Sequence, residues 1–218
     1  MDPTFVDALP FAIGIALSPF PIVPVILLLL SPRARVVGPV FWLCFAAGVA
    51  VVTAVFVVLS EAVDFPEHPP TWASWTRIVV GLLLVALAIK QWLGRSHDKE
   101  TPGWLATLQQ AGPATAARYG FLLSAANPKV LVLAAGGGLV LGAVPGGAAT
   151  SVALILAFTV VAAVAVAVPV VLYLLLGDRM VPPLRAAAEW LQRHTSSITA
   201  IVIGLIGVIV ALEGFRGL

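Results

Sequence analysis

The sequence predicts an all-α polytopic membrane protein: six transmembrane helices arranged as two inverted three-helix repeats, with helices 1 and 4 discontinuous. Three observations predict this class, namely an apolar composition, six long apolar windows, and two prolines near the middle of their windows. Of the 218 residues, 61% are hydrophobic and 10% are charged, whereas soluble domains carry roughly a quarter charged residues.

Each window is long enough to cross a bilayer, because a transmembrane helix needs about 20 predominantly apolar residues. The six windows cover roughly residues 8–30, 38–60, 74–93, 119–143, 150–176 and 196–213. Little of the chain is left for a soluble domain. We therefore expect a first three-helix repeat at 1–93, a cytoplasmic linker with a short interfacial helix at 94–118, and a second three-helix repeat at 119–218.

The basic residues predict the orientation, since loops that face the cytoplasm are enriched in Lys and Arg. Of the 12 basic residues, Arg77 and Arg216 flank the second connection and the C-terminus, and Lys129 lies inside the fourth window. The others flank the first, third and fifth connections: Arg33, Arg35, Lys90, Arg95, Lys99, Arg118, Arg179, Arg185 and Arg193. This distribution predicts a multi-pass protein of the plasma (inner) membrane with both termini outside.

Two of the cytoplasmic connections contain amphipathic stretches, TPGWLATLQQAGP at 101–113 and PPLRAAAEWLQRH at 182–194. Both have apolar residues at helical spacing, and the second places Arg185, Glu189 and Arg193 four residues apart. Both patterns are typical of helices that lie on the inner membrane surface. Ordered loops are the alternative interpretation.

Two proline pairs predict the discontinuous helices. Ser18-Pro19 and Asn127-Pro128 each match a helix start, with an N-cap side chain followed by proline at the first helical position. At the helical rise of about 1.5 Å per residue, both pairs lie about 12–15 Å into a hydrocarbon core about 30 Å thick.

The two prolines also predict a repeat. Pro19 and Pro128 are 109 residues apart (128 − 19 = 109), which is half of the 218-residue chain. Because each half contains an odd number of windows, the second repeat must be inverted relative to the first. Two unrelated kinked helices are the alternative.

Inverted repeats with helices broken at the midplane are typical of secondary transporters. Half-helices that begin at Pro19 and Pro128 would place two partly positive N-termini at one central site, which favours an anion. Lys129 strengthens this preference, since a lysine near the membrane centre costs about 2.5–3.5 kcal/mol and usually marks a functional pathway. A side chain that snorkels to the cytoplasmic interface is the alternative. No Asp or Glu lies in the interior of a predicted span, since Glu61 and Glu213 lie at outer ends, and this favours an anionic or zwitterionic cargo.

Glycines in the fourth and sixth windows indicate close helix packing. Gly138 and Gly142 form a small-xxx-small pair, as do Gly207 and Ala211. For the glycines at 136–138, a gate or re-entrant element is the alternative.

Other kinds of site are not expected. Cys44 is the only cysteine, so neither a disulfide nor a paired-thiol motif can form. The three histidines lie in three different connections, which gives no metal-ligand spacing. With no phosphate-binding loop or nucleophile constellation, we expect no enzymatic activity, no cofactor, no metal and no nucleic-acid partner.

Four stretches carry a family resemblance: ALSPFPIVPVILLLLSPRAR, RIVVGLLLVALAIKQWLGR, TPGWLATLQQ and GFLLSAANPKVLVLAAGGG. Through them the chain resembles the GAP family, the glycopeptidolipid- and sulfolipid-addressing proteins, within the LysE (lysine exporter) superfamily. The resemblance implies a plasma-membrane protein that moves complex glycolipids toward the cell surface. It implies motif positions at Pro19, Pro21, Asn127, Pro128 and Lys129. Amino-acid exporters of the superfamily carry Pro-Gly-Pro where this chain has Pro19-Phe20-Pro21, and the missing glycine argues against a small-solute pocket.

We therefore expect an exporter or flippase that moves an anionic or polar glycolipid across the inner membrane toward the cell envelope. The expected substrate-binding residues are Lys129, Asn127, Pro128, Ser18, Pro19, Pro21 and Phe20. The alternatives are a small-solute, amino-acid-like exporter of the LysE type and a non-transporting scaffold for lipid-export machinery. Expected partners are membrane lipids, the lipid substrate, a second copy of the chain, and lipid-synthesis or export machinery.

Overall fold

The computed structural model describes residues 3–62, 71–93 and 108–216, and within these ranges all regular structure is helical. This agrees with the predicted all-α class. The helices are α1 (Pro3–Ala16), α2 (Pro19–Leu29), α3 (Ala34–Ala62), α4 (Thr71–Leu93), α5 (Pro113–Ala125), α6 (Pro128–Gly142), α7 (Ala148–Leu176) and α8 (Val181–Arg216). Short 3₁₀ turns at Leu108–Gln110 and Gly177–Met180 precede α5 and α8.

Two helical segments are long and apolar enough to cross a membrane, Ala34–Ser60 and Ala148–Leu191. Two bent helix pairs raise the number to four if each pair is one span: residues 5–29 with a bend of 50°, and residues 113–142 with a bend of 60°. The third and sixth windows are helical as well, in α4 and α8. Two clear apolar spans, or four with the bent pairs, are therefore supported, and six spans and the inverted repeat stay predictions.

The end of the chain differs from the prediction. Both the amphipathic stretch at 182–194 and the sixth window belong to α8, a single helix of 36 residues. The polar residues between them do not interrupt the backbone, because a helix tolerates serine and threonine and no proline or glycine occurs between Pro183 and Gly204. The interfacial helix predicted at 101–113 lies mostly outside the described residues, and Gly112 occupies the N-cap position of α5.

The chain divides into two compact units. One comprises Met1–Val63 and Thr101–Gln192, and the other comprises Asp64–Glu100 and Arg193–Leu218. In the second unit α4 packs against the C-terminal part of α8, where a Cβ on Gly204 would lie 3.3 Å from Ala88 Cβ. This close approach fits the packing role predicted for the glycines of the sixth window.

In the first unit, α3 sets the direction of its neighbours. The first bent pair is antiparallel to α3 and is joined to it by a tight turn, since Gly38 near the start of α3 packs against Leu29 at the end of α2. The second bent pair runs parallel to α3: Gly120 of α5 meets Phe41, and Gly138 farther along α6 meets Thr53. The two bent pairs are therefore antiparallel to each other, as the predicted alternation of spans requires.

The packing predicted for the glycines of the fourth window is confirmed. A Cβ on Gly138 would lie 2.6 Å from the Thr53 carbonyl oxygen, and a Cβ on Gly142 would lie 2.8 Å from that of Val57. Without side chains at these two positions, α6 approaches the backbone of α3 directly. Such small-residue contacts are a main source of helix association in a bilayer, where no hydrophobic force operates between helices.

The outer surface of the first unit is apolar. Val132 is 65% exposed, Val160 70% and Leu175 75%. Large contiguous exposed apolar surfaces are uncommon on soluble monomers, whereas lipid tails accept them because they are as apolar as these side chains. The surface agrees with the membrane class predicted from composition.

Candidate functional site

The break in the second bent pair forms a capped helix start. α5 ends at Ala125, and α6 begins at Pro128 after Asn127 in extended conformation (φ −78°, ψ 116°). The backbone N–H of Lys129 donates to Asn127 Oδ1 at 3.0 Å, and that of Leu131 donates to the Asn127 carbonyl at 2.8 Å. Pro128 fills the first helical position, where its missing N–H costs nothing. The predicted cap role of Asn127 is confirmed.

The break in the first bent pair has the same backbone form without the same cap. α1 ends at Ala16 and α2 begins at Pro19, with Ser18 in extended conformation (φ −75°, ψ 119°). The Ser18 side chain makes no capping hydrogen bond, although the residue is only 1% exposed. The sequence therefore predicted the position of this break correctly and the role of the serine hydroxyl wrongly.

Lys129 lies on the side of α6 that faces α1. It precedes Gly136 by seven residues, which is about 20° short of two full helical turns, so the two residues share a face. Gly136 packs against α1, since a Cβ there would lie 2.6 Å from Phe11 Cε1. The lysine therefore points toward the first bent pair.

The two breaks lie about equally far from one contact between the bent pairs, that of Phe11 with Gly136. From the contact between Phe11 and Gly136, seven residues toward the break lead to Ser18 on one chain segment and to Lys129 on the other. Because the segments are antiparallel, both steps run the same way and both span about 10 Å. The midplane position of both breaks stays a prediction.

The Lys129 ammonium group is buried, and among the described residues it has no hydrogen-bond partner. An ammonium can donate three hydrogen bonds and accepts none. Withdrawing such a group from water without a partner is costly. The unpartnered ammonium group and the N-terminus of α6 belong to the same end of the helix, since Lys129 is its second residue. This combination attracts anions.

The remaining predicted site residues have different environments. Pro19 and Pro21 are buried in the packed face of α2, whereas Pro128 and Phe20 are exposed, Phe20 by 49%. Phe20 occupies the position that corresponds to Lys129 at an offset of 109 residues. The proposed binding role of the seven residues stays a prediction.

A comparison with known families decides where this chain belongs. The model of the SfLAP family, described as Sap, sulfolipid-1-addressing protein, matches residues 8–216. The chain is a member of the SfLAP family. This confirms the resemblance to the sulfolipid-addressing proteins seen in the four stretches. No curated protein and no solved structure matches the chain.

Two threonines of this SfLAP protein join the buried polar groups, and the sequence analysis missed them. Thr53 of α3 is fully buried, Thr159 of α7 is 7% exposed, and both hydroxyls are buried without a partner among the described residues. Thr53 lies beside α6, since its carbonyl faces Gly138, and Thr159 follows Phe158, the residue that faces Gly137. Threonine hydroxyls in helices usually bond a carbonyl of the preceding turn. The sequence could have indicated them, because each is an isolated polar residue inside an apolar window.

A metal centre finds no support in the described ranges. No group of three or more His, Cys, Asp or Glu residues gathers there in a way that could hold a metal ion. Cys44 is a free thiol. The chemistry that the described site offers is electrostatic attraction and hydrogen-bond donation.

Proposed function

We propose that this SfLAP protein is an exporter or flippase that moves an anionic or polar glycolipid across the plasma membrane toward the cell envelope. The buried Lys129 ammonium group, without a protein partner at the break of a bent helix pair, carries the proposal. The family description names a sulfolipid, which supports a lipid of this kind as the cargo. A sulfate group meets both requirements, since it is anionic and offers oxygen acceptors.

The energetics favour a ligand over a purely structural lysine. A lysine at the centre of a bilayer costs about 2.5–3.5 kcal/mol by insertion measurements. Leucine or methionine would fill the same space without that cost. Because α6 begins at this break, an anionic headgroup there would interact with both the positive end of the helix dipole and the Lys129 ammonium group.

The orientation follows the basic loops. We place both termini outside and the connection at 94–118 in the cytoplasm, so that cargo binds from the side rich in Lys and Arg. The protein needs no enzymatic step for this role. Membrane lipids, a second copy of the chain and lipid-synthesis or export machinery are its proposed partners.

Reconstitution into liposomes tests the role of Lys129. The probes are a fluorescent sulfated glycolipid and the same glycolipid without the sulfate, and loss of fluorescence to an impermeant quencher reports movement between leaflets. Hydrogen bonds to charged groups contribute about 1.5–3 kcal/mol, so Lys129→Met should slow movement of the sulfated lipid about tenfold or more. Lys129→Arg should retain part of the rate. Lys90→Met, at an exposed position of α4, is the matched control and should stay within about twofold.

Wild-type movement of the sulfated lipid by Lys129→Met would refute the transport role assigned to this lysine. Efflux of a labelled amino acid from the same liposomes, without lipid movement, would show a small-solute exporter of the LysE type. A scaffold predicts a third pattern: in cells, exchange of the connection at 94–118 abolishes surface display of the lipid, and Lys129→Met does not.

A further inference from the structure

The apolar helices of the first unit contain a single charge. In the ranges 8–32, 36–60 and 119–177, Lys129 is the only residue among Asp, Glu, Lys, Arg and His. These ranges include all of α2, α6 and α7 and most of α1, α3 and α5. An anionic group that reaches the Lys129 ammonium therefore meets one positive charge and no second ionised side chain from these ranges.

The helices packed against α6 carry their other titratable residues elsewhere. These helices are α1, α3, α5 and α7. Their charged residues all lie outside the three apolar ranges and are Asp7, Arg35, Glu61 and Arg118. Cys44, Tyr119 and Tyr173 carry no formal charge, and Cys44 lies against Gly120 of α5. The charge at the break is therefore that of Lys129 alone.

The surroundings of this charge are apolar. The ammonium group is buried without a partner among the described residues, and Val130 beside it in α6 and Ile15 in the last turn of α1 are fully buried. Interactions between charges are several times larger in such surroundings than in water, and an unbalanced charge there is costly. The net charge of a ligand therefore matters more at this site than it would on the protein surface.

We propose that the Lys129 site selects headgroups with one negative charge, such as sulfate monoesters and phosphodiesters, over headgroups with two, such as phosphate monoesters. This rests on the proposed function, in which Lys129 meets the cargo. A monoanion and the ammonium group are neutral together, whereas a dianion leaves one negative charge among apolar side chains. The dipole of α6 adds only about half a positive charge, which is less than the second negative charge requires.

Binding to the full-length protein in a neutral detergent tests the selectivity. Three fluorescent forms of one glycolipid are titrated, which carry a sulfate ester, a phosphate monoester or a methyl phosphodiester. The second pKa of a phosphate monoester is about 6, so this probe is mainly a monoanion at pH 5 and mainly a dianion at pH 8. The other two probes carry one charge at both pH values. Sulfate and phosphate groups are both tetrahedral, so that charge is the main difference between them.

The phosphate monoester should lose affinity as the pH rises. At pH 5 the three probes should bind within about threefold of one another. At pH 8 the phosphate monoester should bind about tenfold to a hundredfold more weakly than the sulfate ester. The upper limit follows because about one molecule in a hundred is still a monoanion at pH 8. The sulfate ester and the phosphodiester are the controls for titration of the protein, since their own charge is constant.

Three variants assign the selectivity to one side chain. Lys129→Met should bind the sulfate ester at least about tenfold more weakly than the wild type and should prefer the unsulfated glycolipid, because no charge is left to balance. Lys129→Arg should keep the preference for monoanions. Arg118→Met is the matched control, since it removes an exposed charge from the same bent pair, and it should change the ratio of affinities less than about twofold.

Equal binding of the phosphate monoester and the sulfate ester at pH 8 would overturn the single-charge selectivity. Absence of saturable binding by all three probes would overturn it too, as would a preference for monoanions that persists in Lys129→Met. The liposome assay keeps this proposal distinct from the proposed function. Selective binding without lipid movement would support the single-charge site and refute the exporter, and lipid movement without charge selectivity would do the reverse.

Discussion

Replacing Gly138 with alanine should separate α6 from α3 and lower the free energy of unfolding. The new Cβ would lie 2.6 Å from the Thr53 carbonyl oxygen and 2.8 Å from Phe56 Cβ, whereas ordinary contacts begin at 3.4 Å. The backbones must therefore move apart by about 0.8 Å (3.4 − 2.6), because a carbonyl cannot rotate away. Overpacking costs about 1–3 kcal/mol, and alanine regains up to about 1 kcal/mol of helix propensity. The expected net loss is about 1–2 kcal/mol.

Gly136→Ala is the matched control, two residues away in the same helix. Its Cβ would lie at the same 2.6 Å, but from Phe11 Cε1, and that ring can rotate within its side chain. The gain in helix propensity is equal, so this variant should lose less than about 0.5 kcal/mol. Titration with sodium dodecyl sulfate in mixed micelles, followed by circular dichroism, measures both values. A loss in Gly136→Ala equal to or larger than that in Gly138→Ala would refute the distinction between backbone and side-chain contact.

Two further predictions use the same titration. Asn127→Ala should lower the free energy of unfolding by about 0.5–2 kcal/mol because it removes the cap of α6. Ser18→Ala, with no cap bond to lose, should lower it by less than about 0.5 kcal/mol. Equal losses would contradict the difference between the two breaks. Thr53→Val should be neutral or gain up to about 1 kcal/mol, since it replaces an unpartnered buried hydroxyl by a methyl group of similar size. A clear loss would mean that the hydroxyl has a partner after all.

Local chemistry explains what could be predicted from the sequence. The helix breaks at Pro19 and Pro128 were predictable because each proline follows a residue suited to an N-cap. Pro24 and Pro169, which follow valine, lie inside continuous helices. The Asn127 cap was predictable as well, since its bond reaches only two residues along the chain. Packing at Gly138 and Gly142 followed from their four-residue spacing.

Contacts between distant segments explain what was missed. A cavity of about 430 Å³ is lined by both Ser31 and Gln110, which are 79 residues apart (110 − 31 = 79), and no local pattern connects them. The Ser18 hydroxyl fails to cap because a suitable residue does not guarantee a suitable rotamer. In α8 the change from polar to apolar sequence resembled the boundary between two helices. A change in composition alters whether a helix favours water or lipid, but it does not end the backbone hydrogen bonds of the helix.

The two bends differ in what fixes them. Both halves of the second bent pair are held against one helix: Gly120 of α5 and Gly138 of α6 each meet the backbone of α3. In the first pair, α1 packs on α6 and α7, whereas α2 packs on α3 and α7. A change in the 60° bend would break the glycine contacts with α3, whereas a change in the 50° bend would disturb the contacts that α1 and α2 both make with α7. The position of the helix that carries Lys129 therefore depends on two residues without side chains, Gly138 and Gly142, which face the backbone of α3.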